Sequence, residues 1–120
     1  LTLIGMDDPT TRGNTSREKV DEATFKNVEP STFRIFLYHR PSIRPDRFDK
    51  FDLQLSGHTH GGQIFPFHYL NKIFYRAKPG LSQLDQETYL YLSRGTGSWG
   101  PQFRVFAPPE ITYITISPEK

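Results

Sequence analysis

Proline and glycine break this sequence so often that long helices have little room: 10 Pro and 9 Gly are distributed through 120 residues. Proline lacks the amide hydrogen that a helix interior or a sheet ladder needs, and glycine loses the most backbone entropy on ordering. Aromatic residues fill the space between these breakers, with 10 Phe, 6 Tyr and 1 Trp. Such rings favour strands. Strands joined by shaped loops are therefore expected, in one domain able to bury roughly two-thirds of its unfolded surface.

Several classes fall away. There is no cysteine, so neither a disulfide framework nor a thiolate metal site is available. No apolar run approaches the ~18 residues of a membrane span, and no basic-then-apolar leader opens the chain. The 15 Lys+Arg and 13 Asp+Glu residues nearly balance, which does not suggest a nucleic-acid partner. Neither a repeat nor a low-complexity tract is present. The chain opens on Leu1-Thr-Leu-Ile-Gly5 without an initiator Met, as if entering in the middle of a strand.

Along the chain, Leu1–Ile4 reads as a short strand closed by Gly5, and 6–14 as a loop. Thr15 with Glu18 has capping-box spacing for a helix ending near Val28, and its narrow apolar stripe predicts an exposed helix. Phe33–Tyr38, Asp52–Leu55 and Thr88–Ser93 are β-rich strands. Arg44–Lys50 has room for a short helix, and 63–75 for one short strand. Ile111–Ile116 alternates like a terminal strand. A crossover opening and a hairpin-like ending point to an α/β fold with a mixed sheet and one or two helices. Two strands run straight into histidine-bearing turns, so one sheet edge should carry the chemistry.

Those histidines are His39, ahead of Pro41, and the pair in Ser56-Gly-His-Thr-His-Gly-Gly-Gln63. A lone strand-end histidine is more often structural. His-x-His is more specific: in extended backbone both rings share one side, and in a turn the flanking glycines permit tight folding. Imidazole suits Zn, Fe and Mn. Three histidines would make a mononuclear site, or half of a binuclear one whose carboxylates lie elsewhere. Asp7 and Asp8 are the only paired acids in a loop beside a strand, and loop solvation explains them equally well. Asp46, Asp49 and Asp52 read as surface residues.

The Gly57-His-Thr-His-Gly-Gly-Gln63 run resembles the last signature of the calcineurin-like metallophosphoesterases, and Leu37-Tyr-His-Arg-Pro41 resembles the signature before it. Ser93-Arg-Gly-Thr-Gly97 and Pro108-Pro-Glu-Ile-Thr112 are similar to the YkuE/YaeI-type bacterial phosphohydrolase branch. The family's opening D-x-H, G-D and G-N-H signatures, which supply a bridging Asp, further ligands and a proton-donating His, are absent. The resemblance therefore implies residues 1–120 as the C-terminal half of a two-sheet (αββα) sandwich domain. It further implies two divalent ions (Mn, Fe or Zn), with His39 and His58 on one and His60 on the other. Hydrolysis of a phosphodiester or pyrophosphate by a metal-activated hydroxide would follow in the intact enzyme, the isolated piece being inactive. The partners implied are a phosphoester substrate and the missing N-terminal half, and by family analogy the envelope or membrane.

Other residues keep two readings. Arg94 suits a phosphate contact or a structural salt bridge; Gly61 and Gly62 suit phosphate-binding amides or turn shaping. Gln63 is a partner for a ligand histidine or a plain strand-end residue. His68 reads as packing or surface. The aromatic stretch 65–75 reads as core, a reading that exposure would overturn in favour of a substrate rim or lipid-facing patch. Trp99 reads as a turn cover. Two alternatives remain open: a cupin-like mononuclear metal protein and a non-enzymatic interaction module with structural histidines.

Overall fold

Among the described residues five strands form a single mixed sheet in the order β1-β2-β3-β5-β4. They are β1 (Thr2–Met6), β2 (Arg34–Tyr38), β3 (Leu53–Ser56), β4 (Gly80–Gln83) and β5 (Tyr89–Leu92). This is a computed structural model, and it describes residues 1–8, 16–67, 69 and 73–117. Strands β1, β2, β3 and β5 are mutually parallel, and β4 closes the edge antiparallel to β5. The α/β class and the mixed sheet agree with the sequence.

Helix α1 (Arg17–Phe25) crosses from β1 to β2, capped by Ser16, whose hydroxyl accepts from the Lys19 amide. Thr15, the expected cap, lies outside the described residues. Val20 and Phe25 of α1, with Val28, pack on Ile4, Met6, Phe36, Tyr38 and Phe51. Phe36 is fully buried, its ring centroid 5.2 Å from both Phe25 and Phe51. The polar stretch before β3 becomes a 3-10 helix, Pro45–Lys50. Its Arg47 is buried, paired with Asp21 of α1 and lying 5.8 Å from the Phe36 and Tyr38 ring centroids. Among the described residues no helix is long and apolar enough to cross a membrane.

Side chains alternate across the sheet. One face turns Ile4, Met6, Phe36 and Leu90 into the core, while the other leaves Leu3, Leu37 and Leu81 exposed.

Four expectations need correction. The hairpin is β4–β5, closed by Leu84 and Asp85 amides donating to the Thr88 carbonyl, and β4 was not anticipated. Ile111–Ile116 forms no strand; Ile111 and Tyr113 are 89% and 91% exposed. Alternation there finds no neighbouring strand to bond among the described residues, and a ladder needs a partner. Within 63–75 the only pairing among described residues is an isolated bridge, Ile64 to Val105. Asp52 is no plain surface acid, because it accepts from the Arg34 amide at 2.6 Å and from its guanidinium at 2.8 Å. Burial works against ionising Asp52, yet the hydrogen bonds and charge of Arg34 outweigh it and hold the carboxyl below its ordinary range.

Candidate metal centre

The parallel arrangement brings the carboxyl ends of β1, β2, β3 and β5 to one edge, where ligands of open α/β sheets collect. His39 follows β2 directly and His58 comes two residues after the end of β3. Beneath them runs a buried polar relay. The Gln54 amide donates to Ser56 Oγ at 2.9 Å, and Ser56 Oγ donates to the Tyr38 carbonyl at 2.7 Å. The Gly57 amide then donates to the His39 carbonyl at 3.1 Å. These bonds set the ends of β2 and β3 side by side, and the sequence did not single out Gln54 or Ser56 for that work.

His39 Nε2 and His58 Nδ1 face each other at 3.0 Å. Two nitrogens each about 2.1 Å from one ion would stand roughly 3.0–3.4 Å apart at right-angled to tetrahedral geometry. The pair therefore fits two ligands of a single divalent ion. Burial, then the charges of His39 and Arg40, hold His58 below the usual imidazole value, which favours the neutral, metal-binding form at neutral pH. Arg40 itself forks onto Asp8 at 2.9 and 3.1 Å, so Asp8 is engaged in an ion pair beside the histidines. Among the described residues no group of three His, Asp or Glu side chains is gathered closely enough to hold a metal.

His60 stands in the next turn, its Nδ1 3.2 Å from the Gly97 carbonyl. This turn concentrates left-handed backbone: His58 (φ 70°), His60 (49°) and Gln63 (42°) lie there beside Gly61 (62°) and Gly62 (84°). Non-glycine residues in that region cost roughly 1–2 kcal/mol each, and such conformations cluster at functional sites. The Gly62 amide donates to the Thr59 carbonyl at 2.8 Å and closes this turn. A Cβ on Gly61 would lie 3.1 Å from Arg94 Cγ.

A cleft of about 580 Å³ is lined by His39, His58, His60, Phe67, Tyr75 and Trp99. Arg94 does not line it. It lies across Gly61 in a neighbouring cavity of about 470 Å³ with Lys78, Phe65 and Tyr69, and is 3.9 Å from Glu110. Phe65, Phe67 and Tyr69 are at least half exposed and Phe74 is 75% exposed, which overturns the core reading of this stretch. His68 lies outside the described residues.

Among the described residues the Gln63 side chain bonds none of His39, His58 and His60, although its backbone amide donates to the His60 carbonyl at 3.0 Å. It is buried and holds the loop above them, donating to Trp99 O (2.8 Å) and Pro101 O (2.9 Å) and accepting from the Trp99 amide (2.6 Å). Trp99 is 79% exposed and covers little. The mainly parallel sheet also departs from the cupin alternative, whose double-sheet jelly roll is antiparallel.

Comparison with known proteins agrees with the motif resemblance. The chain is 44% identical over 120 residues to a Campylobacter jejuni protein named an uncharacterized metallophosphoesterase, covering 98% of this chain and 30% of that one. An Aquifex aeolicus protein with the same kind of name is 34% identical over 118 residues, 97% of this chain and 45% of the relative. YkuE of Bacillus subtilis, also named an uncharacterized metallophosphoesterase, is 36% identical over 103 residues, 79% and 35% of the two chains. The chain thus spans between about a third and a half of these relatives' lengths. No family model matches it, and no solved structure matches it significantly.

Proposed function

Because the chain belongs to the calcineurin-like metallophosphoesterases, being related over nearly its whole length to two proteins named metallophosphoesterase and over 79% of it to a third, we propose that it forms the histidine-bearing part of a metal-dependent phosphoesterase acting on phosphodiesters or pyrophosphates. The observation that carries this reading is the 3.0 Å approach of His39 Nε2 to His58 Nδ1 at the carboxyl edge of adjacent parallel strands. In this reading His39 and His58 hold one divalent ion and His60 holds a second. Bound divalent ions (Mn, Fe or Zn) would supply Lewis-acid neutralisation of phosphoryl charge and a nucleophile usable at neutral pH.

The chain's own residues do the rest. The Gln54–Ser56 relay keeps His39 beside His58, and Gly61 and Gly62 let the turn present His60 to the same cleft. Arg94, one cavity away, is assigned to a substrate group beyond the reacting phosphoryl. The chain spans 30% and 45% of two of its relatives, and in this reading the remaining ligands come from the rest of the domain, so the chain alone binds metal weakly and does not turn over. On the sheet face that buries Ile35 and Leu53, the neighbouring side chains Leu3 and Leu37 stay exposed, which supports the idea that further structure of the same domain packs at that edge.

Calorimetry with Zn²⁺ or Mn²⁺ tests the ligand assignment. Weak uptake by the wild-type chain, lost in a His39→Ala, His58→Ala double variant of unchanged fold, is the expected result. Uptake indifferent to both substitutions would refute it. Hydrolysis of bis(p-nitrophenyl) phosphate by the chain alone would overturn the claim that the site needs completing.

A further inference from the structure

A histidine binds a metal only through the ring nitrogen that has no hydrogen, and the hydrogen bond at the other nitrogen decides which one that is. His60 Nδ1 lies 3.2 Å from the Gly97 carbonyl. A carbonyl can only accept, so Nδ1 carries the hydrogen and the lone pair is left on Nε2. Free neutral histidine side chains favour the opposite form. The tautomer of His60 is thus imposed by the position of one carbonyl, in a loop with no helix or strand of its own.

The side chain that holds this arrangement together is Arg104. Its Nη1 donates to the His60 carbonyl at 3.2 Å and to the Ala107 carbonyl at 3.2 Å. Its Nε donates to the Gly97 carbonyl at 3.2 Å, where Nη2 also bonds. Nη2 further reaches the carbonyls of Arg94 (3.0 Å) and Gly95 (3.1 Å). One guanidinium therefore grips both the backbone carbonyl of His60 and the Gly97 carbonyl that faces Nδ1 of its ring. Gln63 secures the far end of the same loop through Trp99 and Pro101. A planar fork of five donors suits converging carbonyls in a way that the compact ammonium of lysine does not.

We infer that Arg104, seconded by Gln63, is a positioning residue that sets the tautomer of His60 and so keeps Nε2 open for a divalent cation. This rests on the reading of His60 as a ligand. Removing the fork leaves five carbonyls to relax and lets the Gly97 oxygen drift from Nδ1. His60 then reverts toward the form with hydrogen on Nε2, which closes the lone pair the cation needs. Loss of such a supporting contact typically weakens metal binding by about 10–100-fold.

The test is long-range ¹H–¹⁵N NMR of the histidine rings in the metal-free 120-residue chain, at one alkaline pH where imidazole is neutral. Wild type is expected to show His60 as the Nδ1–H form, Arg104→Gln as predominantly Nε2–H, and Arg104→Lys as a mixture. A wild-type Nε2–H ring, or an Nδ1–H ring kept in both variants, would overturn the inference. Should Arg104→Gln fail to fold by circular dichroism, Arg104→Lys alone decides, an unchanged tautomer counting against it. Zn²⁺ titration separates the two claims. Zn²⁺ that binds without moving the His60 Nε2 resonance refutes His60 as a ligand, while the metal-free spectra still decide the role of Arg104.

Discussion

Gly61→Ala is the sharpest probe of the histidine turn, because two separable costs can be read from its surroundings. The first is conformational: with φ at 62°, an alanine would sit in left-handed backbone at roughly 1–2 kcal/mol. The second is steric, since the new Cβ would lie 3.1 Å from Arg94 Cγ and 3.3 Å from Cδ, inside the roughly 3.5–4.0 Å optimum for carbon contacts. The Arg94 side chain is 42% exposed and can yield a few tenths of an ångström, so the steric share should be small. A total of about 1–2 kcal/mol lowers the melting temperature by roughly 4–8 °C for a domain near this size. Calorimetric or circular-dichroism melts measure this directly. Gly5→Ala is the control, having no positive φ and no atom within 4 Å of its added Cβ, and should be nearly neutral. In the double variant Gly61→Ala, Arg94→Ala only the steric share should be recovered. Complete recovery would refute the conformational argument, and a Gly61→Ala melt equal to wild type would refute both.

Two further outcomes follow from the packing and from the terminal segment. Phe36→Ala should destabilise the chain by about 3–5 kcal/mol, because the ring is fully buried; denaturant unfolding showing less than about 1 kcal/mol would count against the core as described. Glu110 Oε1 accepts from the Tyr91 hydroxyl at 2.7 Å and from Thr112 at 2.8 Å, and these bonds, Tyr91 first, hold its carboxyl below the ordinary range. A depressed folded-state pKa stabilises above the ordinary carboxylate value and loses that contribution as pH falls through the folded one. Hydrogen exchange should therefore find residues 110–117 loosening from the sheet on acidification from neutral pH. Glu110→Gln should flatten that dependence, and identical acid profiles for the two chains would refute the clamp.

The positions of His39 and His58 were legible because each depends on a short local pattern. Phe33–Tyr38 is a β-rich run stopped before Pro41, and Leu53–Ser56 opens directly into a glycine-bracketed turn. Parallel pairing of those two strands then leaves the histidines nowhere to go but the same edge. The terminal segment misled for the complementary reason. Alternation at Ile111–Ile116 states which side chains would share a face, but not whether a neighbouring strand exists to accept the hydrogen bonds.

By itself, then, the sequence determined the four parallel strand runs, the histidine turn with its glycines and the family signatures, all of them written in residues a few positions apart. Only the tertiary structure decided what holds that turn. Arg104 reaches the His60 carbonyl across 44 positions and Gln63 reaches Trp99 across 36; Arg104 does not differ in the sequence from an ordinary surface arginine, and the signature that ends in Gln63 does not say what its side chain holds. The same holds for Arg94, which the sequence left between a phosphate contact and a structural salt bridge and which packing over Gly61 puts in a separate cavity, 3.9 Å from Glu110. Local physics sets where the chain can turn and which residues can bind. The geometry that fixes a ring nitrogen or turns a cation away comes from long-range contacts, whose partners are chosen only when the chain closes on itself.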